Sequence, residues 1–252
     1  MTRVCYLSEL GDCSGRLVFE HPVPASYLID FVRGGSTLRF VGGPKRQNCE
    51  LESTTVGAKI VCAHHSSSLN GSIDRTLLRL LRHHEPPFTS TAAEFSADEV
   101  VAGITKMAFG ILYASAQEKK IPTRPLVRSL AELVVGRRSV EDHRLYLTIR
   151  ESSLHGKNSA EVLAAMRIEV PLQLVMWGTE DSAEAFADRP TYEGVELRFW
   201  HGVGLLVWFG DKAPSSAQQD TNDARVCAVI ADGFEYSVGR DDCRIKTRFM
   251  YK

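Results

Sequence analysis

The sequence predicts an α+β fold, because three kinds of pattern follow one another along the chain. Cysteines and histidines are scattered through an irregular N-terminal third, and apolar residues at helical spacing dominate the middle. Alternating or wholly apolar segments then dominate the rest. We therefore expect two units, residues 1–90 with the candidate metal ligands and residues 91–252 with helices and a mostly antiparallel β region.

The composition is that of a globular protein with no general preference for a charged partner. Of the 252 residues, 44% are hydrophobic and 24% are charged, and the formal net charge is −1. This balance gives no overall field that would attract a polyanion, so it permits DNA binding without indicating it. No apolar run reaches the roughly 18–20 residues that span a bilayer, which predicts a cytoplasmic protein without a membrane partner.

The N-terminal segments contain too few apolar residues to form a core of their own. Glycine and proline separate the strand-like pieces RLVF, TLRFV and AKIVC within residues 1–65. Leucine and isoleucine then recur at helical spacing from Leu69 to Leu81, which predicts a helix capped by Asn70 or a preceding serine. The tandem proline in HHEPPFTST ends that helix.

Two further helices are predicted in the middle of the chain. Ser96 and Glu99 have the spacing of a capping box, and apolar residues follow on one helical face as far as Leu112. A second helix is predicted from Pro125, at a first-turn position, to a terminating glycine at Gly136. The apolar faces of both helices indicate a structural role.

The C-terminal half is predicted to be a mostly antiparallel sheet. Its strand-like segments are RLYLTIR, EVPLQLVMW, VELRFWHG, GLLVWFG, RVCAVIA and FEYSV. WHGVG and ADG, which lie between some of them, have the composition of hairpin turns. The polar segment 211–223 predicts a surface loop.

The cysteines near the N-terminus predict a structural zinc site. In a cytosolic chain, cysteines clustered near histidines are more typical of metal ligands than of disulfides. Cys62 and His65 have the common two-residue gap of a zinc-binding pair, and Cys5 and Cys13 can supply the second pair. Cys49 could replace Cys5 or Cys13, or it could be a free thiol. The plain alternative is that these residues never meet.

The order of these residues resembles HNH endonucleases, the ββα-metal nucleases built on a treble-clef zinc scaffold. The motifs that carry the resemblance are Cys-Ser-Gly at 13–15, Glu-His-x-x-Pro at 20–24, and Cys-x-x-His at 62–65, which a small polar run and Asp74 follow. The resemblance covers residues 5–82. It implies a zinc-stapled ββα-metal module at the N-terminus, with the four predicted ligands holding the zinc.

The resemblance also implies the catalytic roles of three residues. His21 would be the general base that activates a water, and Glu20 would bind a catalytic Mg²⁺ or Mn²⁺. The residue after the last zinc ligand, an asparagine in the family, would be the second metal ligand and is Ser66 here. Because a serine hydroxyl is shorter than a carboxamide and a poorer ligand, the resemblance implies a DNA nuclease whose activity is weakened or lost.

Other interpretations of the same residues stay open. A shifted register would put His64 in the zinc shell and His65 at the asparagine position, although the single-residue gap from Cys62 would be strained. Glu20 and His21 could form a plain surface turn with the prolines that follow them. The chain could also be a non-catalytic, zinc-stabilised binding or scaffold protein that holds a protein partner on its C-terminal sheet.

Overall fold

The computed structural model shows helices and strands in both predicted units, together with antiparallel sheets. The α+β prediction is confirmed at this level. The structure describes residues 4–33, 38–41, 48–51, 57–84, 92–138, 144–149, 172–178, 192–199, 203–210, 221–223, 228–231, 234–239 and 244–249.

Two antiparallel strands frame the N-terminal region. After a short 3₁₀ helix at Ser8–Leu10, strand β1 (Leu17–Glu20) pairs with β4 (Ala58–Cys62). Helix α1 (Ala25–Arg33) and strands β2 (Leu38–Val41) and β3 (Asn48–Leu51) lie between them in the chain. Helix α1 was not predicted, because the glycines and prolines around it mask a short amphipathic segment.

The helix predicted from Leu69 is divided into two shorter helices. Helix α2 (Ala63–Leu69) starts directly after β4, and helix α3 (Ser72–His83) follows it. The predicted cap is therefore wrong: Asn70 ends α2, where its backbone N–H donates to the Ser66 carbonyl at 3.0 Å. The apolar face of α3 is buried as its spacing predicts, and α3 ends before the tandem proline.

The long helix α4 (Ala97–Glu118) forms the centre of the core. Its capping prediction is confirmed, since the Ser96 hydroxyl accepts a hydrogen bond from the Glu99 backbone N–H at 3.4 Å. By length and composition α4 could cross a membrane, but 83% of its apolar window is buried inside the protein, as in a core helix. Helix α5 (Arg128–Val134) follows, three residues later than Pro125 predicts.

The remaining strands complete two sheets. They are β5 (Ala92–Ser96), β6 (Arg144–Ile149), β7 (Leu172–Gly178), β8 (Tyr192–Phe199), β9 (Val203–Trp208), β10 (Thr221–Asp223), β11 (Ala228–Ala231), β12 (Phe234–Gly239) and β13 (Arg244–Phe249). The seven-stranded sheet has the order β10-β6-β9-β8-β7-β2-β3, and the four-stranded sheet has the order β11-β12-β13-β5. Among the described pairs, β2 with β7 is parallel and the others are antiparallel.

Four strands lie where the sequence did not predict them. Strand β10 lies inside the segment predicted as a loop, β3 lies outside the predicted N-terminal strand segments, and β5 and β13 pair with each other outside the predicted strands. Short polar strands such as β10 carry little apolar periodicity, so their pairing depends on a neighbouring strand. The periodicity of the sequence therefore missed them.

One buried core extends across the predicted unit boundary at residue 90. Tyr6 and Val61 belong to the same cluster of buried side chains as Met107 of α4 and Leu197 of β8. Strand β2 also pairs with β7, so the seven-stranded sheet contains strands from both sides of that boundary. The division into residues 1–90 and 91–252 stays a prediction about which parts of the chain are stable separately.

Gly110 lets α4 approach the segment after β1 closely, and its substitution tests that contact. An added Cβ would lie 2.7 Å from the Pro22 Cβ, whereas one at Gly103 would lie 3.1 Å from the Leu77 Cβ. We expect Gly110→Ala to lower the free energy of unfolding by about 1–3 kcal/mol through overpacking. Gly103→Ala should stay within about 1 kcal/mol of the native chain, because a helix favours alanine by a similar amount.

Urea unfolding of the zinc-loaded proteins measures the free energy of unfolding of the native chain and of both α4 variants under the same conditions. Equal effects of the two substitutions would contradict the tight contact between α4 and Pro22.

Candidate functional site

The four predicted zinc ligands lie together near the N-terminus. Cys5 and Cys13 flank the 3₁₀ helix, Cys62 ends β4, and His65 lies in the first turn of α2. Their ligand atoms all lie within 4.8 Å of one another. The direct passage from β4 into α2 places Cys62 and His65 about one helical turn apart, which explains their two-residue gap.

The spacing of this Cys₃His cluster fits a tetrahedral ion. The His65 Nδ1 atom lies 3.5 Å from the Cys5 Sγ, 3.6 Å from the Cys13 Sγ and 3.3 Å from the Cys62 Sγ. Zinc bonds of about 2.3 Å to sulfur and about 2.0–2.1 Å to nitrogen give a tetrahedral S···N edge of about 3.5 Å. The cluster could therefore hold a metal such as zinc, with His65 binding through Nδ1.

The electrostatics of the three thiols favour a bound cation. Burial raises the pKa of the Cys5 thiol, and burial together with the neighbouring Cys5 raises the pKa of Cys13 to about 12. Burial also opposes ionisation of Cys62, but the backbone N–H groups of His65 and Ser14 outweigh it and lower the pKa of Cys62. Three adjacent thiolates are costly without a positive charge, and a divalent ion supplies one.

Asp12 orients the histidine ligand from outside the cluster. The His65 Nε2 atom lies 2.6 Å from the Asp12 Oδ1, and the Arg137 guanidinium donates to the other carboxylate oxygen at 2.8 Å. The Arg137 hydrogen bond, and then that of His65, hold the pKa of Asp12 well below its usual range. A carboxylate behind a metal-binding histidine fixes its tautomer and ring orientation. The spacing of residues in the sequence did not predict this role of Asp12.

Of the three residues predicted to be catalytic, Glu20 and His21 line a cavity, and Ser66 does not. Glu20 is the last residue of β1, and His21 follows it. The cavity has a volume of about 350 Å³, and its lining residues are Phe19, Glu20, His21, Pro24, Ala25, Ser26, Asn70, Asp74, Arg75 and Leu78. Since Glu20 is 2% exposed, the interpretation of this segment as a turn with its charges in water is wrong for Glu20.

The imidazole of His21 lies at the edge of this cavity. Its Nδ1 is buried and has no hydrogen-bond partner in the described part of the chain. The ring packs edge-on against the ring of Phe19, with 5.0 Å between the ring centres. A Cβ added at Gly57 would lie 2.3 Å from the Phe19 ring and 3.1 Å from the His21 Nδ1, so glycine leaves room for both rings.

A buried lysine from α4 pairs with two carboxylates that line the cavity. The Lys106 Nζ lies 2.9 Å from the Glu20 Oε1 and 2.6 Å from the Asp74 Oδ1, and Lys106 is fully buried. The Ser66 hydroxyl donates to the other Glu20 oxygen at 2.8 Å. The Asn70 side-chain amide in turn donates to the Ser66 hydroxyl at 3.1 Å.

These contacts do not fit a divalent cation on Glu20. One carboxylate oxygen of Glu20 faces the Lys106 ammonium, and the other accepts from Ser66. An added Mg²⁺ or Mn²⁺ would be close to that ammonium, and their repulsion would be strong in a buried site. Ser66 acts here as a hydrogen-bond link between Glu20 and Asn70, and its predicted role as a metal ligand stays a prediction.

Sequence reasoning missed Lys106, although the sequence carried a signal for it. The residue interrupts the apolar run GITKMAFGIL inside a helix for which one apolar face was predicted. Lysine is almost never fully buried unless it is paired, so its place there indicated a carboxylate partner. That partner could not be named, because Glu20 and Asp74 are distant in the sequence.

For Cys49, the structure describes the backbone in β3, and its side chain lies outside the described part.

Metal content tests the ligand set directly. The purified native chain is expected to carry close to one zinc per molecule, and Cys62→Ser should lose it and weaken protection of the N-terminal region. Cys49→Ser is the matched control and should retain the zinc. Elemental analysis measures the zinc content, and hydrogen exchange measures the protection of the N-terminal region. Protein prepared without chelator that contains no zinc, or zinc lost from Cys49→Ser but kept in Cys5→Ser, would contradict the assignment.

Asp12→Asn tests the outer contact to His65. We expect its zinc affinity to fall about 10–100-fold, because an amide orients the imidazole less strongly than a carboxylate. Competition with a chromophoric chelator measures the affinity. Glu9→Gln, which removes a nearby carboxylate outside the Cys₃His cluster, should leave the affinity unchanged; an equal loss in both variants would point to a general charge effect instead.

Comparisons of the whole chain with protein-family models, with curated proteins and with solved structures found no match. The resemblance to HNH endonucleases therefore depends on the residues and motifs themselves and stays a prediction.

Proposed function

We propose that the chain is an HNH-like nuclease-type protein that acts on DNA, with a structural zinc and with cleavage weakened or lost. The observation that carries the proposal is the placement of Glu20 and His21. Glu20 ends the first of two paired strands and His21 follows it, both line one open cavity, and the second strand leads through a zinc-ligand pair into a helix beside that cavity. Two paired strands, metal ligands and a helix are the parts of the module that the resemblance implies; here α1, β2 and β3 lie between the two strands in the chain.

The residues of the cavity suit a phosphodiester substrate. A neutral imidazole at His21 can take a proton from an attacking water near neutral pH. The Arg75 guanidinium lines the same cavity and can donate to phosphate oxygens. Arg79 and Arg82 continue along α3, so this helix adds local positive charge that the net charge of −1 conceals.

A second function is favoured by Lys106. Its ammonium pairs with both Glu20 and Asp74 and supplies a cation from the chain itself, which suits a protein that keeps the zinc-stabilised framework without the chemistry. In this alternative the chain is a non-catalytic binding or scaffold protein, and its C-terminal sheets provide the surface for a protein partner.

Cleavage of DNA by zinc-loaded protein distinguishes the two functions. We expect weak or no cleavage with magnesium and somewhat more with manganese, which tolerates imperfect ligation. His21→Ala should reduce any cleavage about 10²–10⁴-fold, the usual contribution of a general base, without loss of zinc. Ser66→Asn should raise it. His64→Ala is the matched control, since His64 is exposed and does not line the cavity.

Each outcome of the cleavage assay assigns a function. Robust magnesium-dependent cleavage that survives His21→Ala would refute His21 as the base. Absence of cleavage in both the native chain and Ser66→Asn, with zinc bound and the fold intact, would favour the scaffold function.

A further inference from the structure

We infer that Lys106 is the resident cation of the Glu20 and Asp74 carboxylates, and that its ammonium excludes a divalent ion from them. The inference has a direct corollary: removal of this ammonium opens a divalent-cation site on the same two carboxylates. It rests on the proposed function for the expectation that a metal would bind at Glu20. Its test measures ion binding and not DNA cleavage, so either proposal can fail alone.

The geometry around the ammonium resembles the surroundings of a metal ion. Carboxylate oxygens from two different elements, β1 and α3, converge on the Lys106 Nζ at 2.9 Å and 2.6 Å. Mg²⁺ takes oxygen ligands at about 2.0–2.1 Å, so an ion at this position needs only a small inward movement of the carboxylates. The Ser66 and Asn70 contacts hold the Glu20 carboxylate in place from its other side.

The ammonium cannot leave the carboxylates easily. Lys106 is fully buried, and its neighbours in α4, Thr105 and Met107, are also fully buried. Its side chain therefore reaches the two carboxylates from the interior of the protein. If the ammonium moved away, the buried Glu20 carboxylate and the partly buried Asp74 carboxylate would lose their counter-charge, which is unfavourable. In the native chain, an incoming divalent ion therefore competes for the two carboxylates with the Lys106 ammonium, which the surrounding buried residues keep in place.

An ion would have a route to the carboxylates once the ammonium is removed. Glu20 and Asp74 both line the open cavity, and the side chain of Asp74 is 19% exposed. Hydrated manganese could enter from that side and keep several of its waters, as such ions commonly do in protein sites. The zinc cluster is a separate set of ligands, and it is filled with one zinc per chain before the measurements. Excess zinc is removed, because free zinc would compete with manganese for the carboxylates.

Manganese binding is measured by electron paramagnetic resonance on three zinc-loaded proteins: the native chain, Lys106→Met and the double variant Glu20→Gln/Lys106→Met. Methionine preserves most of the length of the lysine side chain without its charge. We expect Lys106→Met to bind about one manganese per chain. The native chain should bind it at least about tenfold more weakly, and so should the double variant, which lacks one carboxylate.

Thermal unfolding supplies a second readout for the same proteins. Without manganese, Lys106→Met should melt below the native chain, because its carboxylates are unpaired. Added manganese should raise that melting temperature with concentration, since it binds the folded state. The double variant and the native chain should show no comparable rise.

Several results would overturn the inference. One is a manganese site in the native chain that Glu20→Gln removes. Another is a folded Lys106→Met that neither binds manganese nor gains thermal stability from it. A third is a Lys106→Met that stays unfolded at every manganese concentration while the double variant folds, because the ion would then be unable to replace the ammonium. If neither variant folds, the native measurement with Glu20→Gln decides.

Discussion

The contact of one buried ammonium with two carboxylates organises the structure around the cavity. Lys106 comes from α4, Glu20 from β1 and Asp74 from α3, so three elements distant in the sequence meet at a single nitrogen atom. A buried charge that loses its partner is far more costly than an apolar contact that is lost. The charge pairing therefore ties α4 to β1 and α3 at Lys106, and the close approach of Gly110 to Pro22 follows about one helical turn further along α4.

The Cys₃His cluster and the ammonium contact are joined through α2. His65 belongs to the cluster, and the next residue, Ser66, donates to Glu20. A metal that positions His65 thus also positions the hydroxyl that holds the Glu20 carboxylate. On the far side of the cluster, Asp12 connects His65 to Arg137, which follows α5. This coupling gives the N-terminal residues, which have few apolar segments, a polar framework continuous with the core.

The same polar contacts affect which reaction the residues of the cavity could carry out. His21, to which the resemblance assigns the general base, lines the cavity, whereas the Glu20 and Asp74 carboxylates already have a cation within the chain. A nuclease-type protein with such an arrangement would differ from a metal-dependent one in its source of positive charge and not in its zinc scaffold. Ser66 fits this difference, because it serves Glu20 as a hydrogen-bond donor.

The sequence by itself determined the local features of this protein. The gap between Cys62 and His65 predicted a ligand pair, the Ser96 cap predicted the start of α4, and apolar periodicity predicted most strands of the C-terminal half. Each depends on residues within a few positions of one another, where helix and strand geometry alone relate sequence spacing to spatial position.

Only the tertiary structure decided which distant groups meet. It placed Lys106 between Glu20 and Asp74, brought Asp12 behind His65, and paired β2 with β7 in parallel. A lysine in an apolar helix could have indicated that a partner was needed, yet many carboxylates in the chain could have met that need. The choice among them depends on how the elements pack, because a long-range contact is set by the whole core and leaves no fixed spacing in the sequence.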